Sequence, residues 1–459
     1  MSKELTCFKA YDVRGELGLN LNGDICYRIG RAYAEVMESK TVIIGRDVRK
    51  SSPELSKCFS EGLMDNGVKV LDIGIAGTEE VYWATTHFNA CGGIMITASH
   101  NPISFNGIKM VKSESRPLET NEFLMIKKTA ENNTFPILKN RGKVVDIFYE
   151  SKDTYVDKLF EFIDTNLLPK LNVVINGGNG ALGPTFDLFE EKLQKKSKNL
   201  KFFKYQHNPD SNFPNGIPNP LIKENHQFNK NLVISKNADL GIAFDGDFDR
   251  CFFFDENGNF VPGEYIVGLL AEIFLLKEPG SKIIHDSRVI WNIKDVVENH
   301  SGYSLVSKTG HAFIKKSMRD NNAIYGGEMS AHHYFREFAY CDSGMIPWLL
   351  IIELMGRKEK KLSELVKDRQ QKFPSSGEIN FTIKNPVKMT EKVLKYFQDQ
   401  YLYYDYFDGL SVVFEDWRFN LRISNTEPLV RLNLETKKNL DLLNHRIKKL
   451  TKILMSEQS

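Results

Sequence analysis

No apolar run in the 459-residue chain approaches the roughly 20 residues that a membrane-spanning helix needs. Stretches such as Tyr265 to Leu276 are short and broken by Glu272, so no membrane partner is expected. The amino end, MSKELTCFKAYD, lacks the apolar core of a signal peptide, and a soluble, unprocessed protein is expected. Cysteine is sparse: Cys7, Cys26, Cys58, Cys91, Cys251 and Cys341 are scattered without C-x-x-C spacing. That argues against a disulfide framework and a zinc site and favours a reducing cytoplasm, where the Asn-x-Ser/Thr triplets at Asn132 and Asn299 carry no meaning. An excess of one charge is missing too. The formal net charge is +2 and no basic block alternates with aromatics, so no nucleic acid partner is expected.

What is present is ordinary for a soluble globular protein. Hydrophobic residues make up 41% and charged residues 26%, which excludes a disordered or fibrous chain. At about 150 residues per domain the length implies three or four compact units. The first third alternates β-branched runs (Thr41 to Ile44, Val68 to Leu71, Ile94 to Ile96) with amphipathic stretches such as Leu55 to Asp65, the pattern of βαβ units. The alternation restarts at Leu171 to Ile175 and closes in a strand over Leu240 to Phe244. A further cycle runs from Lys282-Ile283-Ile284 to Ala323-Ile324-Tyr325. From about Gly377 the order becomes strand, helix, then strands at Leu410 to Phe414, Phe419 to Ile423 and Val430 to Leu434, with a basic helix from Leu440. The expected architecture is three similar α/β domains, 1–150, 151–256 and 257–373, and a smaller α+β domain, 374–459. They are alike in pattern, not in sequence.

Four segments carry candidate chemistry. Thr97-Ala98-Ser99-His100-Asn101-Pro102 follows an apolar strand, which places Ser99 on a tight turn at a strand's carboxyl end, where ligands bind in open α/β sheets. Such a serine is a candidate nucleophile if a neighbour manages its proton, and His100 and Lys109 are the local choices. Asp245-Gly246-Asp247-Phe248-Asp249-Arg250 sets three carboxylates at alternate positions directly after a strand. Hard oxygen donors so arranged suit Mg²⁺, and without a cation or Arg250 to offset them their repulsion is costly. Asp245, Asp247, Asp249 and Glu256 mimic EF-hand spacing, but Arg250 stands where that loop needs glycine. Gly178-x-Gly180-x-x-Gly183 mimics a dinucleotide fingerprint, but no acidic residue closes the next strand. In the third unit, Lys308-Thr309-Gly310-His311 and Gly326-Gly327-Glu328-Met329-Ser330-Ala331-His332-His333 each follow a strand and offer partners for sugar hydroxyls and protons. Near the end, Arg422-Ile423-Ser424-Asn425-Thr426-Glu427-Pro428 with Arg431 offers hydroxyls, amides and guanidinium forks for a phosphate monoester.

Together these are the parts phosphoryl transfer requires, since that chemistry rests on positioning and charge neutralisation. With Phe8-Lys9-Ala10-Tyr11-Asp12-Val13-Arg14-Gly15 at the front, the set resembles the α-D-phosphohexomutase superfamily over effectively the whole chain. The resemblance is specifically to the bacterial phosphomannomutases that feed GDP-mannose into surface polysaccharides. It implies four domains around a central cleft, with Ser99 as phosphoserine and Ser99, Asp245, Asp247 and Asp249 around Mg²⁺. It further implies Arg14 and Lys109 flanking the phosphoserine, and Glu328 and Ser330 on sugar hydroxyls. Tyr11, Arg250, Arg288, Thr309 and Gly310 line the substrate site, and Arg422, Ser424, Asn425, Thr426 and Arg431 hold the phosphate that is not reacting. The implied partners are a phosphosugar and a hexose 1,6-bisphosphate activator, and the implied assembly is a monomer or weak homodimer.

Two positions depart from that pattern. Arg288 stands where many members carry lysine, and a guanidinium does not act as a base, which leaves Lys109, His311 and His332 as proton-transfer candidates. Ala331 replaces the usual glycine beside the sugar site. Three other readings fit parts of the pattern: a dual-specificity phosphoglucomutase/phosphomannomutase, a phosphatase using Asp245 as nucleophile, and a sugar-phosphate sensor without turnover.

Overall fold

The computed structural model describes residues 4–137, 139–423 and 429–456. The chain packs as two compact units, Met1–Phe260 with His332–Glu359, and Val261–Ala331 with Lys360–Ser459.

In the first unit, strands rich in β-branched and aliphatic residues are buried on both faces, as central parallel strands covered by helices must be. One sheet has the order Val13–Glu16, Phe105–Lys112, Gly92–Ile96, Thr41–Arg46, Lys69–Ile75, Val144–Asp146. Its last four strands are parallel, and Phe105–Lys112 runs antiparallel beside Gly92–Ile96. A second sheet has Cys251–Phe254, Leu240–Phe244, Leu171–Asn176 and Leu200–Tyr205 in that order, only the first of them antiparallel. The flanking helices are amphipathic and locally specified. Asn22 caps Gly23–Val36 by accepting from Ile25 N at 2.9 Å. The helix Met345–Lys358 also belongs to this unit, its buried Trp348 packing among Phe186, Phe189 and Phe202.

In the second unit, Lys282–Asp286 lies between Tyr303–Ser307 and Tyr325–Gly327, all parallel. This repeats the arrangement of the other two sheets, in which the first strand of each parallel trio is central. The remaining sheet is antiparallel, in the order Ser375–Thr382, Leu429–Thr436, Trp417–Ile423, Leu410–Val413, Tyr403–Asp405. Helices Pro386–Tyr396 and Leu440–Met455 close its core through Met389, Val393, Leu443 and Leu450. Three α/β domains and a smaller α+β domain are thus the architecture, as the hydrophobic periods imply.

Two element readings need correction. The strand expected over Ala323-Ile324-Tyr325 is Tyr325–Gly327, shifted onto two glycines because Ile314, Met318 and Val267 press on the positions where their side chains would stand. Tyr403–Asp405 escaped notice because all three of its residues are exposed, so it carries no alternation of buried and solvent positions.

Candidate functional site

The strand Gly92–Ile96 is wholly buried, and the turn beyond it is built tightly. Thr97 Oγ1 accepts from Ser99 N at 2.9 Å, and Ser99 itself has φ of +47°, a conformation that strains any residue with a side chain. Beneath the turn lies Arg49, only 1% exposed. Its guanidinium donates to the carbonyls of Ser99 (2.9 Å), Asn101 (2.6 Å), Pro102 (2.9 Å) and Phe105 (3.0 Å), with Asp47 at 3.4 Å as counter-ion. Four carbonyls drawn to one buried cation fix where Ser99 stands, so Arg49 is a positioning residue. Replacing it with Met orphans those carbonyls and loosens the turn. If Ser99 Oγ is the reacting atom, Arg49→Met is expected to lower kcat by about 10²-fold with KM little changed, because misplacing such an atom by about 1 Å has that effect. Steady-state kinetics on folded variant check it, and Arg49→Lys should recover only part of the loss.

The acidic loop joins two antiparallel strands, Leu240–Phe244 and Cys251–Phe254. Gly246 is required there, since a Cβ on it would sit 2.8 Å from Ser99 O, and this close approach brings serine and aspartates together. Asp245, Asp247 and Asp249 are buried, with a carboxylate oxygen of each within 4.8 Å of the others. Ser99 Oγ donates to Asp245 Oδ2 at 2.9 Å. Arg250 donates to the same oxygen from Nε (3.0 Å) and from its terminal nitrogen (2.7 Å). Lys109 Nζ reaches Asp247 Oδ2 (2.7 Å), Asp249 Oδ2 (2.6 Å) and Thr78 Oγ1 (3.1 Å), while Thr78 Oγ1 donates to Asp247 Oδ2 at 2.6 Å.

Three buried carboxylates therefore face two cations. Asp247 is held well below the usual carboxylate range, because Lys109 outweighs the effect of burial. Asp249 is pushed up, first by burial and then by Asp247's charge. The Oδ1 atoms of Asp247 and Asp249 are buried and lack hydrogen-bond partners among the described residues. Orphaned hard oxygens on a loop with surplus negative charge are what a divalent cation would satisfy, so these residues fit Mg²⁺.

Around this centre the structure gathers several residues singled out from the sequence. His100 Nδ1 is 3.2 Å from Ser99 Oγ but accepts from Arg250 at 2.6 Å. Burial, then Arg250's charge, lowers its pKa to about 3, which leaves the imidazole neutral. Arg14 pairs with Asp12 at 2.8 Å and donates to Asn101 Oδ1, and the nearby Tyr11 is exposed. His332 lies with Asp249 and Asp342, one ligating atom of each within 4.8 Å of the others. His333 is core, fully buried in His333–Phe335, with its pKa lowered to about 3 by burial alone.

The second unit assembles the other set. Glu328 Oε1 accepts from Gly310 N at 2.9 Å. Arg288 donates to Asp286 Oδ2 (2.6 Å) and Ser330 Oγ (3.3 Å). Thr309 gives its N–H (2.9 Å) and hydroxyl (2.7 Å) to Asp408 Oδ2, as does Ser287 Oγ (2.9 Å). His311 opens the helix His311–Asn321. Arg422 and Arg431 face each other across paired strands. Ala331 has φ of +69°, which accounts for a preference for glycine at that position. Ser424, Asn425 and Thr426 lie outside the described residues.

Sequence reasoning missed Arg49, Thr78 and Asp408. The one usable signal was Gly45-Arg46-Asp47-Val48-Arg49, where the strand Thr41–Arg46 ends and a charged turn begins at its carboxyl edge.

Comparison with known proteins gives four family-model matches in chain order. They are phosphoglucomutase/phosphomannomutase alpha/beta/alpha domain I (residues 6–136), domain II (153–258), domain III (262–373) and the C-terminal domain (378–450). A phosphomannomutase of Escherichia coli K12 is 53% identical over 98% of this chain and 99% of its own. One from Vibrio cholerae is 51% identical with the same coverage of each. Among solved structures, a phosphoglucomutase/phosphomannomutase family protein of Burkholderia thailandensis superposes with a TM-score of 0.86 at 29% identity, covering 98% of this chain and 97% of that one.

Proposed function

The chain belongs to the phosphoglucomutase/phosphomannomutase family as an enzyme of its phosphomannomutase branch, and from that premise we propose how its residues divide the work. Ser99 carries the transferred phosphate. The observation that carries this reading is its hydroxyl, 2.9 Å from Asp245 on a strained, arginine-clamped turn beside three buried carboxylates. The phosphate on Ser99 passes to the free hydroxyl of mannose 1- or 6-phosphate. The sugar oxygen bonds phosphorus as the bond to Ser99 Oγ breaks, giving a hexose 1,6-bisphosphate. That intermediate turns over and returns its other phosphate to Ser99.

Asp245, Asp247 and Asp249, with an oxygen of the Ser99 phosphate, would hold Mg²⁺, which when bound neutralises the transferring phosphoryl group. Arg14 and Arg250 add positive charge beside Ser99. Lys109 balances charge, because its Nζ is engaged with two carboxylates and Thr78. Proton transfer falls to His332, beside Asp249 and Asp342, with His311 as the other candidate. Glu328, Ser330, Thr309, Gly310 and Arg288 read the sugar, and Arg422, Ser424, Asn425, Thr426 and Arg431 hold the idle phosphate. Asp245 is poorly placed to be a nucleophile itself, since its Oδ2 already accepts from Ser99 and twice from Arg250. The divisions at 150, 256 and 373 then separate phosphoserine, metal, sugar and phosphate roles. We place the enzyme in the cytoplasm as a monomer or weak homodimer supplying GDP-mannose synthesis. Among the described residues no helix is long and apolar enough to cross a membrane.

By the family resemblance the Glu328–Ser330 loop takes the 3- and 4-hydroxyls, so none of these assignments reads the 2-hydroxyl, the one centre where mannose and glucose differ. Losing one buried hydrogen bond to a hydroxyl costs about 1–3 kcal/mol. Mannose 1-phosphate is therefore expected to be preferred with glucose 1-phosphate still converted, kcat/KM differing by no more than about a hundredfold. A coupled assay on both substrates with saturating Mg²⁺ and activator tests this. A glucose rate at background would mean that a residue not assigned here reads the 2-position.

A further inference from the structure

Arg422 and Arg431 stand directly opposite on neighbouring strands, a pairing of like charges that destabilises a sheet unless something offsets it. Arg288, from the 282–290 segment, adds a third guanidinium. Glu378 lies among all three. Its Oε2 is 3.3 Å from Arg288 and 4.0 Å from Arg422, and its Oε1 is 3.7 Å from Arg431. The carboxylate is aimed there by a register irregularity in Ser375–Thr382, next to Gly377 at φ of +63°.

These distances differ from those of a structural ion pair. Asp286 holds Arg288 in a fork, at 2.6 and 3.1 Å. Glu378 is spread over three partners at longer range and remains 24% exposed, and Arg422 Nε is buried with no hydrogen-bond partner among the described residues. The two carboxylate oxygens of Glu378 are thus shared among three guanidinium groups.

We propose that Glu378 is an internal counter-anion that competes with the substrate's phosphate for Arg288, Arg422 and Arg431. It thereby sets how readily the idle phosphate is released. The inference rests on the reading above in which Arg422 and Arg431 grip that phosphate, and it extends the grip to Arg288, which stands between sugar and phosphate and also reaches Glu378. An intermediate bearing phosphate at both ends must leave this clamp, turn, and return by its other end. Without Glu378 the net positive charge that Arg422 and Arg431 present, with Arg288 beside them, would hold a phosphate dianion more firmly and slow that exchange. With Glu378 present, each departure of phosphate lets the carboxylate take up the positive charge that the phosphate gives up.

The test is calorimetric binding of inorganic phosphate at fixed ionic strength. Glu378→Gln keeps shape and removes charge, and is expected to lower the phosphate Kd about tenfold or more. In turnover its kcat and KM should fall together, with less hexose 1,6-bisphosphate escaping to solution. An unchanged or raised phosphate Kd in folded Glu378→Gln overturns the inference. Should that variant fail to fold, Glu378→Asp carries the test, because its carboxylate is withdrawn by one methylene. It should tighten phosphate by about threefold, and phosphate binding no tighter than the parent's overturns the proposal. Arg422→Ala separates this inference from the reading beneath it. If that variant binds phosphate as well as the parent, the clamp itself is misassigned. If it binds phosphate weakly while Glu378→Gln shows no tightening, only the counter-anion role is lost.

Discussion

Ser99→Ala is expected to abolish interconversion of mannose phosphates, with kcat falling by at least about 10⁴-fold, because deleting the group that bonds phosphorus leaves binding but no route. The substitution should be mild for the fold. Ser99 Oγ donates to Asp245 Oδ2, and Arg250 continues to satisfy that oxygen through two hydrogen bonds. Ser99 N still donates to Thr97 Oγ1, and the Arg49 clamp acts only on main-chain carbonyls. The melting temperature should therefore stay near the parent's while activity vanishes. Substrate binding, measured separately, should persist, since the second unit's groups are untouched.

Asp247→Asn has the second largest expected effect. Asp247 is buried and its charge is held by Lys109 and by Thr78, yet its Oδ1 remains without a hydrogen-bond partner among the described residues. The substitution replaces one of the three anionic oxygen donors with a neutral carbonyl and removes one negative charge from the loop. The expected loss is about 10²–10³-fold in kcat, the several kcal/mol that a metal supplies to developing phosphoryl charge. Two measurements separate metal loss from misfolding. In the parent, Mg²⁺ should raise the melting temperature, since a ligand at a hundred times its Kd adds about 2.7 kcal/mol of stability. In Asp247→Asn that rise should shrink or disappear. Chelation of the parent should stop turnover reversibly with the fold retained. A variant that turns over and is stabilised by Mg²⁺ like the parent would show that the loop has another role.

The sequence disclosed this site unevenly, for physical reasons. Ser99 and the three aspartates were legible because each follows an apolar strand, and the end of a buried strand fixes where the next residues emerge. The spacing Asp245-x-Asp247-x-Asp249 carried its own chemistry, since like charges so dense call for cations. The cations themselves were only half legible. Arg250 is adjacent to the loop, whereas Lys109 meets Asp247 across 138 residues and Thr78 meets it across 169. His100 shows the opposite difficulty. Its place beside Ser99 follows from the sequence, but the long-range contact that occupies Nδ1, Arg250 reaching back 150 residues, does not. Arg49 was invisible in role because a buried arginine satisfied by main-chain carbonyls leaves no partner in the sequence pattern. In the fold, the alternating units gave the three α/β domains, while the wholly exposed Tyr403–Asp405 carried no alternation to read.

The central claim is that Ser99 is the phosphate carrier, and phosphopeptide mass spectrometry tests it most directly. Protein incubated with hexose 1,6-bisphosphate and Mg²⁺ should carry a single phosphate, on the peptide containing Ser99. Loaded from labelled bisphosphate, that phosphate should be chased into hexose monophosphate by excess unlabelled mannose 6-phosphate, while Ser99 stays phosphorylated because the intermediate returns its other phosphate. Phosphate found on another residue, or a labelled Ser99 phosphate that substrate does not chase from actively turning-over enzyme, would contradict the account.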